Sequence, residues 1–177
     1  MSKERKTIYL DHAATTYVRD EVVKAMEPYW QDIYGNPSSI YFKGQEAKRA
    51  LNDARSKVAS IFNCESSEII FEGSGSESDN HALIGTALAN QGNGKHLITT
   101  AIEHHAVLHA MAYLETLGFE VTYLPVDKDG LVKEQDLKDA ITPKTILVSI
   151  IHGHNEIGTV QDIKKLNKIS KEVNKDI

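Results

Sequence analysis

Three short runs in this 177-residue chain carry side chains that could do chemistry together. The first, Glu72-Gly73-Ser74-Gly75-Ser76-Glu77, is a small-residue loop. It lies between an apolar run, Ile69-Ile70-Phe71, and a helical pattern with Ala82, Leu83, Ala87 and Leu88 on one face. Strand, glycine-bearing loop and helix start make a geometry that binds anions. The first helical turn leaves N–H groups unpaired, the peptide dipoles put partial positive charge there, and glycine lets the backbone approach a phosphate. Ser74 and Glu77 also have capping-box spacing, so capping and anion binding are both open readings of these residues. The second run is Ala101-Ile102-Glu103-His104-His105 and the third is His152-Gly153-His154-Asn155-Glu156. They offer imidazoles, a side chain whose titration near neutrality suits proton transfer, and an amide.

The elements that must position these runs follow from hydrophobic period. Strands are expected at 69–71, 96–100, 119–124 and 145–151, each a short β-branched or apolar run. Helices are expected after each of them: to about Asn90, from about His105 to Leu117, near 134–141 and near 161–174. Alternation of this kind implies an α/β fold with a mostly parallel sheet and helices on both faces, a three-layer αβα arrangement. Ligands in such sheets bind beyond the carboxyl ends of the strands. The three polar runs each follow a strand, so they are expected to converge at one sheet edge. Upstream, helical spacing covers about Arg19 to Tyr34, with Pro28 as a kink or an end, and Gly44 to Phe62, with a Gly35-Asn36-Pro37-Ser38-Ser39 loop between.

Composition narrows the class. The net charge is -5, and no basic or aromatic-plus-arginine patch points to nucleic acid. One cysteine, Cys64, allows no internal disulfide and points to a reducing, cytoplasmic setting. The charged start, Met1 to Lys6, is followed by no signal-peptide core, and no apolar run approaches membrane-spanning length. Lys175-Asp176-Ile177 reads as the entry to a further strand, which makes a fragment, or one half of a split protein, the expectation.

Five words, in order along the chain, resemble the cysteine desulfurases of the class V aminotransferase group, pyridoxal-phosphate enzymes of fold type I. They are Tyr9-Leu10-Asp11-His12-Ala13-Ala14-Thr15-Thr16; Gly35-Asn36-Pro37-Ser38-Ser39; Glu77-Ser78-Asp79-Asn80; Glu103-His104 with Ala106-Val107-Leu108; and Asn155-Glu156-Ile157-Gly158 with Gln161-Asp162-Ile163. The resemblance implies an N-terminal part only, with residues 1–16 as an arm and 17–177 as the incomplete large domain. It implies pyridoxal 5'-phosphate as cofactor. Gly75 and Ser76 would hold its phosphate, His104 would stack on its ring and move protons, and Asn155 would lie near the ring oxygen and the substrate carboxylate. L-cysteine is the implied substrate, giving alanine and an enzyme persulfide. A homodimer and a sulfur acceptor or iron–sulfur scaffold protein are the implied partners.

The family's loop commonly reads Ser-Gly-Ala-Thr, whereas here Gly73-Ser74-Gly75-Ser76 keeps only a hydroxyl at the last position. The family's Schiff-base lysine, in a Ser-x-His-Lys word, the aspartate facing the pyridine nitrogen and the reactive cysteine have no counterpart in the sequence. The chain alone is therefore expected to be inactive, and Cys64, away from every motif, is expected to be structural. Glu103 and Glu156 are expected to cap helices or solvate the site rim, with influence on neighbouring pKa values as the other option. A second reading is a metal site, from His105 and His109 at i, i+4 and from alternating His152, His154 and Glu156 on an extended segment.

Overall fold

The computed structural model describes residues 7–175 and 177; the charged run at 1–6 and the expected strand entry at Asp176 lie outside the described residues. The chain divides into two compact units, Met1–Phe71 and Glu72–Ile177.

The first unit holds α1 (Asp20–Met26), α2 (Pro28–Gln31) and the long α3 (Phe42–Phe62). Pro28 stands at the first position of α2, so of the two expected outcomes, a kink or an end, the structure has the end: α1 stops at Met26 and α2 begins at Pro28. Helix α3 ends on Asn63 in the left-handed region (φ 53°), a conformation asparagine tolerates better than most residues. The run Ile69-Ile70-Phe71 corrects the sequence expectation: it is extended but is not a strand. A strand needs a neighbour to take its N–H and C=O groups, and here a side chain serves instead. Arg55 donates from Nε to the Ile69 carbonyl at 3.2 Å, and its guanidinium lies 5.3 Å from the Phe71 ring centre.

The second unit holds α4 (Gly75–Asn90), β1 (His96–Thr100), α5 (His105–Thr116), β2 (Glu120–Leu124), α6 (Glu134–Ala140), β3 (Thr145–Val148) and α7 (Ile163–Val173). The three strands form one parallel sheet in the order β2-β1-β3. Every residue of the central strand β1 is buried. Successive strand residues face opposite ways, and two cores follow from this. Leu97 packs with Leu83, Ala87, Met111 and Leu114 of α4 and α5. Ile98 packs with Leu124, Leu137, Leu166 and Ile169, on the side of α6 and α7. The unit is therefore a three-layer αβα sandwich. Strand β3 stops three residues short of the expected 151, although the Ser149 N–H still donates to the Ile98 carbonyl at 2.9 Å. Its other edge borders a groove of about 980 Å³ lined in part by Ile146, Val148, Ile163 and Leu166. None of Ser76, His104 or Asn155 lines that groove. No described helix is long and apolar enough to cross a membrane.

His96 is a polar residue inside this core, 4% exposed, with ring nitrogens bonded to the Thr145 hydroxyl at 2.7 Å and the Thr122 hydroxyl at 2.9 Å. Two hydroxyls, each able to donate or accept, satisfy a neutral imidazole without fixing its tautomer. Burial holds its pKa below the ordinary 6.5, partly offset by the Glu120 carboxylate. The native state thus binds this proton more weakly than the unfolded chain does. The stability this contributes is complete above pH 6.5 and is lost as pH falls through the lowered native value. His96→Gln should therefore show a smaller drop in thermal midpoint than wild type between about pH 7 and about pH 5. Equal drops would place the acid sensitivity elsewhere.

Candidate functional site

Helix α4 opens on a reciprocal cap. Ser74, with extended backbone, accepts from the Glu77 N–H at 3.2 Å, and the Glu77 carboxylate accepts from the Gly73 N–H at 2.7 Å. The capping spacing is thus realised in the structure. It leaves the helix start open, since a Cβ added at Gly75 would meet nothing within 4 Å. Neighbouring polar side chains are committed to the backbone: Ser78 donates to the Ser74 carbonyl and Asn80 to the Ser76 carbonyl. The exposed Ser76 hydroxyl has no such bond among the described residues.

His104 is the N-cap of α5. Its Nδ1 accepts from the Ala106 N–H at 3.1 Å, which selects the neutral tautomer with the proton on Nε2. The ring is exposed, with that N–H available. Asn155 occupies a tight loop, as expected for the polar run after the last strand. Gly153 bridges Val160, the Gln161 N–H donates to the His152 carbonyl at 2.8 Å, and the Gly158 N–H donates to the His154 carbonyl at 3.0 Å. Gly158 has φ 75°, which explains the glycine of Asn155-Glu156-Ile157-Gly158. His154 Nδ1 accepts from the Glu156 N–H at 3.1 Å. The Asn155 amide is exposed and has no partner among the described residues.

This loop removes the alternation on which the His152, His154 and Glu156 metal reading rested. The His105 and His109 rings do neighbour each other, with centres 5.7 Å apart. Among the described residues no group of three or more His, Cys, Asp or Glu side chains could hold a metal ion. Cys64 is half-buried just past the end of α3.

What joins the segments is a residue expected on the rim. Glu103 is 7% exposed. Its Oε1 accepts both the Thr100 hydroxyl at 2.7 Å, at the end of β1, and the Ile151 N–H at 2.8 Å, beyond β3. Burial raises its pKa above the ordinary 4.5; the Thr100 hydroxyl, the Ile151 N–H and the Thr100 N–H pull it down, and the Asp79 carboxylate on α4 pushes it up. The β1–α5 loop and the segment after β3 therefore meet around one carboxylate. Nothing in the local sequence marks Glu103 as buried, because its partner lies 48 residues away. The expected convergence of three strand ends is corrected to this extent: the α4 loop follows an unpaired extended segment, not a strand.

The family profile described as aminotransferase class-V matches residues 8–176. The chain belongs to the class-V aminotransferase family. Among this family's members it is 55% identical over 172 residues to a cysteine desulfurase IscS of Methanosarcina thermophila. That match covers 97% of this chain and 43% of the relative. It is also 46% identical to a putative cysteine desulfurase IscS 1 of Bacillus subtilis, over 93% of this chain and 44% of that one. This class-V chain thus spans less than half the length of these relatives. Among solved structures, a NifS-like protein superposes with a TM-score of 0.92 at 40% identity, over 96% of this chain and 46% of that one. A structure titled SspA in complex with cysteine matches with a TM-score of 0.88 at 39% identity, over 94% of this chain and 48% of that one. These neighbours place the class-V αβα unit in fold type I.

Proposed function

We propose that this chain provides the N-terminal portion of a pyridoxal-phosphate-dependent cysteine desulfurase, which takes sulfur from L-cysteine and leaves alanine. The observation that carries the reading is a contrast in hydrogen bonding. Polar side chains around the candidate site are spent on the backbone, while the Ser76 hydroxyl, the His104 Nε2–H and the Asn155 amide are left available. The names of the relatives supply the substrate class.

The residues present fit the cofactor. The start of α4 is open at Gly75, carries the positive end of a 16-residue helix, and offers a free hydroxyl at Ser76. Gly75 and Ser76 would hold the phosphate, and Glu77, turned back onto the Gly73 N–H, leaves its approach clear. His104 would lie against the ring, held in one tautomer by the Ala106 N–H, so that its Nε2–H is the hydrogen-bond donor offered to the site. Asn155 would donate from its amide to an oxygen of the ring or of the substrate carboxylate. When bound, pyridoxal phosphate supplies an electron sink for bonds broken at the substrate's α-carbon. Residues 1–16 act in this reading as an arm and 17–177 belong to the cofactor-binding domain. A homodimer in the cytoplasm, passing sulfur to an acceptor or iron–sulfur scaffold protein, completes it.

Pyridoxine 5'-phosphate tests the reading without reacting at surface lysines, because it lacks the aldehyde. Wild type should bind it, with inorganic phosphate competing. Ser76→Ala should weaken binding by about tenfold, the loss expected for one hydrogen bond to a charged group. Ser76→Glu, which sets a carboxylate against the phosphate, should weaken it further. Equal affinities in an equilibrium titration of the three proteins would remove Ser76 from the site, and no binding by wild type would sink the reading.

A further inference from the structure

We propose that Glu103 is a positioning residue, whose single buried oxygen carries the β1–β3 pairing past the end of β1 and so sets where Asn155 stands relative to His104. The inference rests on the cofactor-site reading above. Backbone pairing between these strands ends where the Ser149 N–H meets the Ile98 carbonyl. Beyond that point the β1–β2 ladder continues, with the Ala101 N–H bonded to the Leu124 carbonyl, but among the described residues no main-chain carbonyl of β1 accepts the Ile151 N–H. Glu103 Oε1 accepts it instead, at 2.8 Å, and the Thr100 hydroxyl, itself fully buried, holds the same oxygen at 2.7 Å.

The loop that follows is internally closed. The Gly153–Val160 bridge and the bond from the Gln161 N–H to the His152 carbonyl tie both of its limbs together. The loop bearing Asn155 is thus a small closed body attached next to Ile151, and a bond at Ile151 governs its orientation. Glu103 is also the residue directly before His104, so one carboxylate anchors both side chains. The acceptor matters here rather than the charge, because the Thr100 hydroxyl and the Ile151 N–H meet one oxygen and glutamine has a carbonyl oxygen to set at the same place.

Two variants separate acceptor from charge. Glu103→Gln keeps Oε1, and Glu103→Leu fills similar space with no acceptor. Two measurements are made on each: the NMR resonances of the Asn155 side-chain amide and His104 ring without ligand, and the affinity for pyridoxine 5'-phosphate. Glu103→Leu should shift the Asn155 and His104 resonances and weaken pyridoxine 5'-phosphate by about tenfold or more, whereas Glu103→Gln should stay within about threefold of wild type. A purely structural role would lower thermal stability in Glu103→Leu and leave the resonances and affinity of the folded molecules unchanged. Identical behaviour of the two variants, or an unmoved Asn155 amide in Glu103→Leu, would overturn the proposal. If Glu103→Leu does not fold, Thr100→Val, which removes one of the two bonds to Oε1, must shift the same resonances or the proposal fails. If wild type binds no pyridoxine 5'-phosphate, the cofactor reading falls, and the ligand-free resonances still decide the role of Glu103.

Discussion

Replacing Leu97 with alanine is expected to lower the stability of the αβα unit by about 3 kcal/mol, read as a fall in the urea midpoint by circular dichroism. Leu97 lies in the central strand with no exposed surface, against Met111 and Leu114, which are equally inaccessible. Deleting its branched end forfeits the transfer free energy of the lost carbons. A cavity also remains, because β1 is hydrogen-bonded on both edges and cannot move in to fill it. A loss of this size is a large fraction of the stability of a domain of this length. Tyr113, on α5 but half exposed, is the contrast: Tyr113→Ala should change the midpoint little. A Leu97→Ala cost no larger than that of Tyr113→Ala would mean that the sheet does not form the rigid centre of this unit.

The same burial explains what was legible in the sequence. β1 reads as a strand because all five of its residues are enclosed, and His96–Thr100 has the expected limits. Helices α5 and α7 announce themselves by period, with Val107, Ala110, Met111 and Leu114 buried on one and Leu166 and Ile169 on the other. Ile69-Ile70-Phe71 has the composition of a strand and is not one, because composition cannot supply a neighbouring edge; Arg55 provides the partner instead. The Gly35-Asn36-Pro37-Ser38-Ser39 word has a structural basis that local reading missed. A Cβ on Gly44 would strike the Ser39 and Asn36 carbonyl oxygens, so the loop and the first turn of α3 are in backbone contact. At the candidate site, Ser76, His104 and Asn155 stand out in sequence as polar groups after apolar runs. Glu103 does not, since its function in the fold depends on a donor far along the chain. The turn that takes His154 out of an extended run is likewise set by Gly158 and the Gly153–Val160 bridge, not by the histidines themselves.

Gly94→Ala tests the opposite end of the same sheet, and about 3 kcal/mol of destabilisation is expected. An added Cβ would overlap the Lys144 carbonyl oxygen and lie 2.7 Å from its carbon and 2.9 Å from the Lys144 Cα. These are backbone atoms and cannot rotate away as a side-chain tip would. The Lys144 carbonyl also accepts the His96 N–H at 3.0 Å, so a shift that relieves the overlap loosens the first bond between β1 and β3. Gly92 is the control: nothing lies within 4 Å of its Cβ position. Gly92→Ala should be neutral or stabilise slightly, by at most about 1 kcal/mol, through the unfolded chain. Urea midpoints of the two variants measure the difference, and equal midpoints would refute the close approach at Gly94. Gly94 stands at the amino end of β1, whereas Thr100 and Glu103 hold the segments at its carboxyl end. Gly94→Ala should therefore cost stability and leave the pyridoxine 5'-phosphate affinity of the remaining folded molecules near wild type. Glu103→Leu should do the reverse in emphasis, so the pair separates forming the sheet from aiming the side chains at its edge.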